Sequence, residues 1–316
     1  MSRARALVLG IAVSVVAAAW LVMTTDIEQV ATQLARAQPL WLAPGLLVLG
    51  FQAWIRSARW ASLIRTCLDI RIGIGRVIDA MLLGYFVNAT MPGRLGEIAR
   101  AVVVARREAV AFSGVAATVV LERAIDLMAL VGLVAIALAA TGSDWSVPFG
   151  ALAIGIAVVV GLGRRATAFE RLIPGRTPQR AADGLRSFLR SVAAIRLPVA
   201  AGAAALSAVA WLADAVMVLL VARALGIEIP VAAALAIGLG GAFGTALPAA
   251  PGYLATYELG AVTLGSFAGV PRETVLPLAI LTHLIGVTVL AAAGAVALGR
   301  VSGLVRLDAL NPRSAA

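Results

Sequence analysis

RVIDAMLLGYFVNATMPGRLGEIARAVVVARR, residues 76–107, is apolar enough to enter a membrane, yet Asn88-Ala-Thr-Met-Pro-Gly93 breaks it at its centre. Each half offers about 15 helical residues, or roughly 22 Å, against a hydrocarbon core of ~30 Å. Neither half crosses alone. Bare backbone at a bend cannot face lipid, so the bend belongs inside the protein. The segment is therefore predicted to be a re-entrant hairpin. A second segment, about 231–268, is broken in the same way at Pro248-Ala-Ala-Pro-Gly252.

The flanking sequence reads as membrane spans. Of 316 residues, 61% are apolar and 13% charged, and the mean hydropathy is +0.98. One soluble core cannot use that much apolar surface. Unbroken apolar segments cover roughly 6–23, 40–60, 112–140, 147–163, 198–222 and 274–298. The prediction is an all-α polytopic membrane protein with six spans and two oppositely oriented re-entrant hairpins. The first segment lacks a small-x-small cleavage site and reads as a retained helix. One Cys and one His exclude an internal disulfide and a His-rich metal centre. No cofactor is expected.

All 26 basic residues are Arg, giving a formal net charge of +10. In a membrane chain this marks cytoplasmic loops, and no nucleic-acid partner is expected. Two re-entrant hairpins place Arg3 and Arg5, Arg56 to Arg76, Arg106 and Arg107, the loop 164–197, and Arg300, Arg306 and Arg313 on one side. Arg36, Arg223 and Arg272 fall on the other. Both termini are then cytoplasmic, in a bacterial inner membrane. The loop 164–197 contains an amphipathic stretch: Ala181, Leu185, Phe188, Leu189, Val192 and Ile195 share a face. Residues 177–195 are expected to lie on anionic inner-leaflet lipid; an ordinary solvated loop is the alternative. The tail after Leu310 is expected to be disordered.

The broken segments resemble one another. Pro92-Gly-Arg-Leu95 with Glu97 answers Pro251-Gly-Tyr-Leu254 with Glu258. Each follows two spans and precedes one, and the two open from opposite sides. This predicts an inverted repeat with halves 1–146 and 147–316.

Ionisable residues at membrane depth need partners, since each costs about 2.5–3.5 kcal/mol at a helix centre. Asp79, Arg94, Glu97, Arg100, Glu122, Arg123, Asp126, Asp214, Glu258 and His283 are the candidates. Arg94, Glu97 and Arg100 share one helical face; Glu122 and Asp126 share another. These two faces are expected to meet in a charge network beneath the first bend, either as scaffold or as a headgroup or proton site. Arg suits phosphate because its planar fork donates in two directions. Half-helices starting near Pro92 and Pro251 would aim free N–H groups at an anion. Pro92, Gly93, Pro251 and Gly252 form the bends; Asn88, Thr90, Tyr253, Thr256 and Tyr257 offer neutral hydrogen bonds. His283 is either a satisfied core residue or a proton-coupling group. No GxSxG, HExxH or Walker motif appears, so no catalytic residue is assigned.

Asn88, Pro92, Arg94, Gly96, Glu97 and Arg100, followed by Glu122-Arg123 and Asp126, resemble the flippase-like family of the lysylphosphatidylglycerol synthase transmembrane region. Pro251 to Glu258 resembles that family's second block, with Tyr253 and Ala255 at glycine positions and Thr282-His283 in place of a Tyr-Arg pair. The resemblance implies movement of an anionic or zwitterionic lipid, aminoacylated or lipid-linked, across the cytoplasmic membrane. Asn88, Arg94, Glu97, Arg100, Glu122, Arg123, Asp126, Tyr253 and Glu258 would bind it. Two alternatives remain open. One is a protein related to lipid-linked glycosyl- or aminoacyl-transferases. The other is a non-transporting partner of a cell-envelope enzyme. A homo-oligomer is also compatible with the small residues on every span.

Overall fold

The computed structural model describes residues 3–91, 94–174 and 178–302. Every regular element among them is helical. Helices α1 (Arg3–Thr24) and α2 (Ile27–Ala35) precede α3 (Ala43–Leu68). The first hairpin is α4 (Ile74–Thr90) and α5 (Leu95–Arg107), and α6 (Phe112–Ala140) follows. Then come α7 (Ser146–Leu162), α8 (Gln179–Ala193) and α9 (Leu197–Ala224). The second hairpin is α10 (Val231–Gly244) and α11 (Thr256–Phe267), and α12 (Arg272–Val301) closes the fold. Pro92 and Gly93, and the tail after Leu310, lie outside the described residues.

Four described helices are long and apolar enough to cross a membrane: Leu7–Thr24, Phe112–Ala140, Leu197–Ala224 and Arg272–Val301. α3 has the length, at 26 residues, but carries Arg56, Arg59 and Arg65. α2 and the stretch Pro39–Leu68 form a pair bent by 87°. Here the structure corrects the sequence reading. Residues 56 and 59 are not loop positions, because α3 runs on to Leu68, and Arg59 is only 1% exposed.

Small residues set the hairpins. A Cβ on Gly96 would strike the Gly84 carbonyl and stand 2.6 Å from Asn88 Oδ1. In the second hairpin, a Cβ on Gly240 or Gly260 would strike the other's carbonyl, and one on Gly244 would strike that of Thr256. Antiparallel half-helices thus pack backbone on backbone, as small residues permit in membranes. Each hairpin also packs across the molecule: α4 lies on α12, and α10 on α6 and α9. α3 packs on α9. Gly96→Ala is expected to cost about 1–3 kcal/mol by overpacking. Gly75→Ala, with nothing within 4 Å, should leave the unfolding temperature unchanged. Thermal melts in detergent compare the two.

The second bend differs from the sequence expectation. Pro251 does not begin the returning half-helix. It opens a single 3-10 turn, Pro251–Tyr253, and α11 starts at Thr256. Gly252, Tyr253 and Ala255 all have left-handed backbone, which no helix propagates through. Ser14 on α1 ties this bend down, donating to the Leu254 carbonyl at 2.8 Å and accepting from the Ala250 N–H at 3.0 Å. α8 packs on α6. Ile195, at its end, is buried in the bundle and Leu185 is 43% exposed. The amphipathic face predicted for 177–195 is therefore split between bundle and surroundings.

Candidate functional site

The two bends meet. Arg94, at the start of α5, donates through Nε to the Thr245 carbonyl at 3.0 Å and through Nη2 to the same oxygen and to Thr245 Oγ1. Its guanidinium stands 5.9 Å from the Tyr253 ring centroid. Between the bends lies a cavity of about 240 Å³. Its wall draws on both hairpins and on α3, α6, α9 and α12.

Asn88 reaches forward from α4 and accepts the Gly96 N–H at 2.8 Å, capping the first turn of α5. It lines the cavity beside Arg94, Glu97, Glu122 and Arg123. Glu97 and Arg123 pair at 3.0 Å, and the Arg123 side chain stays 44% exposed. Arg100 Nη2 stands 2.8 Å from Glu122 Oε2, an ion pair without hydrogen-bond geometry, and lies over the Trp60 ring. The faces of α5 and α6 are therefore in contact through charge. Arg100 and Asp126, however, sit behind the cavity wall rather than on it.

Two arginines missing from the sequence-level site complete the network. Arg59 donates to Glu122 Oε1 at 2.6 Å and also to Asp126 and Ser207. Arg56 pairs with Asp214 at 3.0 Å, and Gln52 donates to the same carboxylate at 2.9 Å. Gln52, Arg56 and Arg59 recur at helical spacing in an apolar segment. That spacing marks one polar helix face, a signal that assigning arginines to loops hides.

Within this network, the Glu258–His283 pair apart, the charges do not cancel. Arg56, Arg59, Arg94, Arg100 and Arg123 face Glu97, Glu122, Asp126 and Asp214. No described carboxylate lies within ion-pair distance of Arg94. The surplus cation therefore sits where the bends meet, on the cavity wall. Glu258 is separate: its Oε1 lies 2.7 Å from His283 Nδ1, and Tyr257 stacks on the imidazole at 4.3 Å. Tyr253, Gly252, Tyr257 and His283 line the cavity, with Glu258 behind His283. Thr90 and Thr256 spend their hydroxyls on nearby carbonyls. No group of three metal-ligating side chains occurs among the described residues.

The model of the lysylphosphatidylglycerol synthase TM region matches residues 7–294. The chain belongs to this family. It is a multi-pass helical membrane protein of the flippase-like type. It is also similar to a protein named glycosyltransferase AglD from Haloferax volcanii, at 27% identity over 90% of this chain. The match takes in 52% of that protein, so the chain spans about half the length of its curated relative. Within the family match lie both hairpins and every residue of the charge network.

Proposed function

We propose that the protein is a lipid flippase that moves an anionic or zwitterionic lipid across the bacterial cytoplasmic membrane. The supporting observation is the uncancelled guanidinium of Arg94 on a cavity wall between two bends. One phosphate there would neutralise the surplus and accept a charge-assisted fork. Asn88, Glu97, Arg123 and Tyr253 would orient the headgroup. Arg100, Glu122, Asp126 and Arg59 would hold the helices that carry them. Chemistry on the lipid is not part of the proposal.

The proposed topology has six spans, α1, α3, α6, α7, α9 and α12, with both termini cytoplasmic and the hairpins opening from opposite sides. The charges that remove α3 from the apolar class are paired inside the bundle, and α7's 17 residues reach about 25 Å. An inverted repeat, 1–146 and 147–316, is favoured by the matching glycine crossings and by each hairpin packing on the last helix of the other half. α8 is proposed to rest on anionic lipid through Arg186 and Arg190.

A second reading is favoured by the relative's name: a membrane partner of a glycosyltransferase in the cell envelope. Mass spectrometry of co-purified lipid separates the two. The flippase reading expects one lipid class enriched in the wild type and lost from Arg94→Gln. Equal, nonspecific lipid in both would overturn it and leave the partner reading.

A further inference from the structure

His283 Nε2 is buried and has no partner among the described residues. The residue is 7% exposed and lines the cavity. Its other nitrogen is committed to Glu258, 2.7 Å away. Glu258 Oε2 and Thr282 Oγ1 are likewise buried and unpartnered. The imidazole shares its cavity with the charge network, of which Arg94, Glu97, Glu122 and Arg123 line the wall contributed by α5 and α6. α11 contributes Glu258 and Tyr257, the latter stacked on the ring. α9 contributes Asp214, α3 contributes Arg56 and Arg59, and α4 contributes Tyr85, all on the same cavity wall. α10 offers no ionisable lining residue, and Glu28 on α2 is exposed, away from the cavity.

We propose that the cavity binds its anionic headgroup together with one proton, carried by the Glu258–His283 pair. The inference rests on the flippase reading. With a carboxylate accepting Nδ1–H, the neutral imidazole presents a bare lone pair at Nε2. An anion cannot bond to a lone pair. One proton from solution turns Nε2 into a donor, and the anionic oxygen accepts it. The pair then holds two protons, and Nε2–H is presented whether the second sits on His283 or on Glu258. With the Glu258 carboxylate counted, the empty cavity and its network are neutral, and that proton alone would leave one net positive charge there. With an anion bound, the two charges offset each other. Anion and proton therefore favour each other's binding, and by linkage each raises the other's affinity by the same factor. A carrier built this way draws on a proton gradient as well as on the lipid gradient.

The test is calorimetric titration of the detergent-solubilised full chain with dioctanoyl phosphatidylglycerol, in two buffers of unlike ionisation enthalpy at one pH. Wild type is expected to take up close to one proton per lipid. Its affinity should fall by up to about tenfold per pH unit on the alkaline side. His283→Gln should bind the lipid more weakly, with no proton uptake and a flat pH profile. Glu258→Gln, which keeps an acceptor for Nδ1–H, should lose most of the uptake and serves if the His283 variant does not fold. Lipid binding by wild type without proton uptake would overturn the proton pair and leave the flippase reading standing. Uptake undiminished in both variants would do the same. No lipid binding at all by wild type would overturn the flippase reading and this inference with it.

Discussion

Arg59→Ala lowers the unfolding free energy by about 3–5 kcal/mol, the cost of removing one partner from a buried ion network. The guanidinium is the hub joining α3 to α6 and α9. It bonds Glu122, Asp126 and Ser207 while only 1% exposed. Without it, Glu122 keeps only Arg100 at close range, and Asp126 keeps Arg56 and Arg123, each at 3.8 Å. Both carboxylates stay buried, so the cost is that of uncompensated charge rather than of lost contacts. Adding Glu122→Gln to Arg59→Ala should recover part of the loss, since it removes one stranded charge. Thermal unfolding in detergent measures all three proteins. The control is Arg190→Ala, whose ion pair with Glu170 is exposed and worth at most about 1 kcal/mol. If Arg59→Ala melts like the control, the network does not hold the helices together.

Arg94→Glu is the largest expected functional effect. It turns five guanidiniums facing four carboxylates into four facing five. A charge-assisted hydrogen bond contributes about 1.5–3 kcal/mol, and a carboxylate in its place adds repulsion. Retention of anionic lipid should fall at least ~100-fold. The fold tolerates the change better than it tolerates Arg59→Ala, because Arg94 bonds only Thr245 across the bends. Arg94→Gln, able to donate to the same carbonyl, distinguishes a lost charge from a lost bend contact. Binding within about threefold of wild type for both variants would move the headgroup site away from the bends.

The two hairpins were legible because Pro and Gly interrupt segments too apolar to be loops. Their observed halves, Ile74–Thr90 with Leu95–Arg107 and Val231–Gly244 with Thr256–Phe267, fall within a few residues of the expected bounds. The hub was not legible. A rule that sorts arginines by loop has no place for a guanidinium whose partners are folded around it, so it assigns Arg56 and Arg59 to a cytoplasmic loop. Helical spacing showed that Arg94, Glu97 and Arg100 share a face, but not depth along it. Arg100 is turned behind the wall, under Trp60 and beside Glu122, while Arg94 is turned onto it. The bend at Pro251 misled for a local reason. Proline suits a first helical position, but three left-handed residues follow close behind it and delay α11 to Thr256.

The most direct measurement is translocation of a headgroup-labelled anionic phospholipid in proteoliposomes. It is followed by the loss of signal on adding a membrane-impermeant quencher. Wild-type protein should expose inner-leaflet label well above the rate in protein-free vesicles, and Arg94→Gln should return it to that background. Equal rates for wild type, Arg94→Gln and empty vesicles would contradict a headgroup path between the two bends.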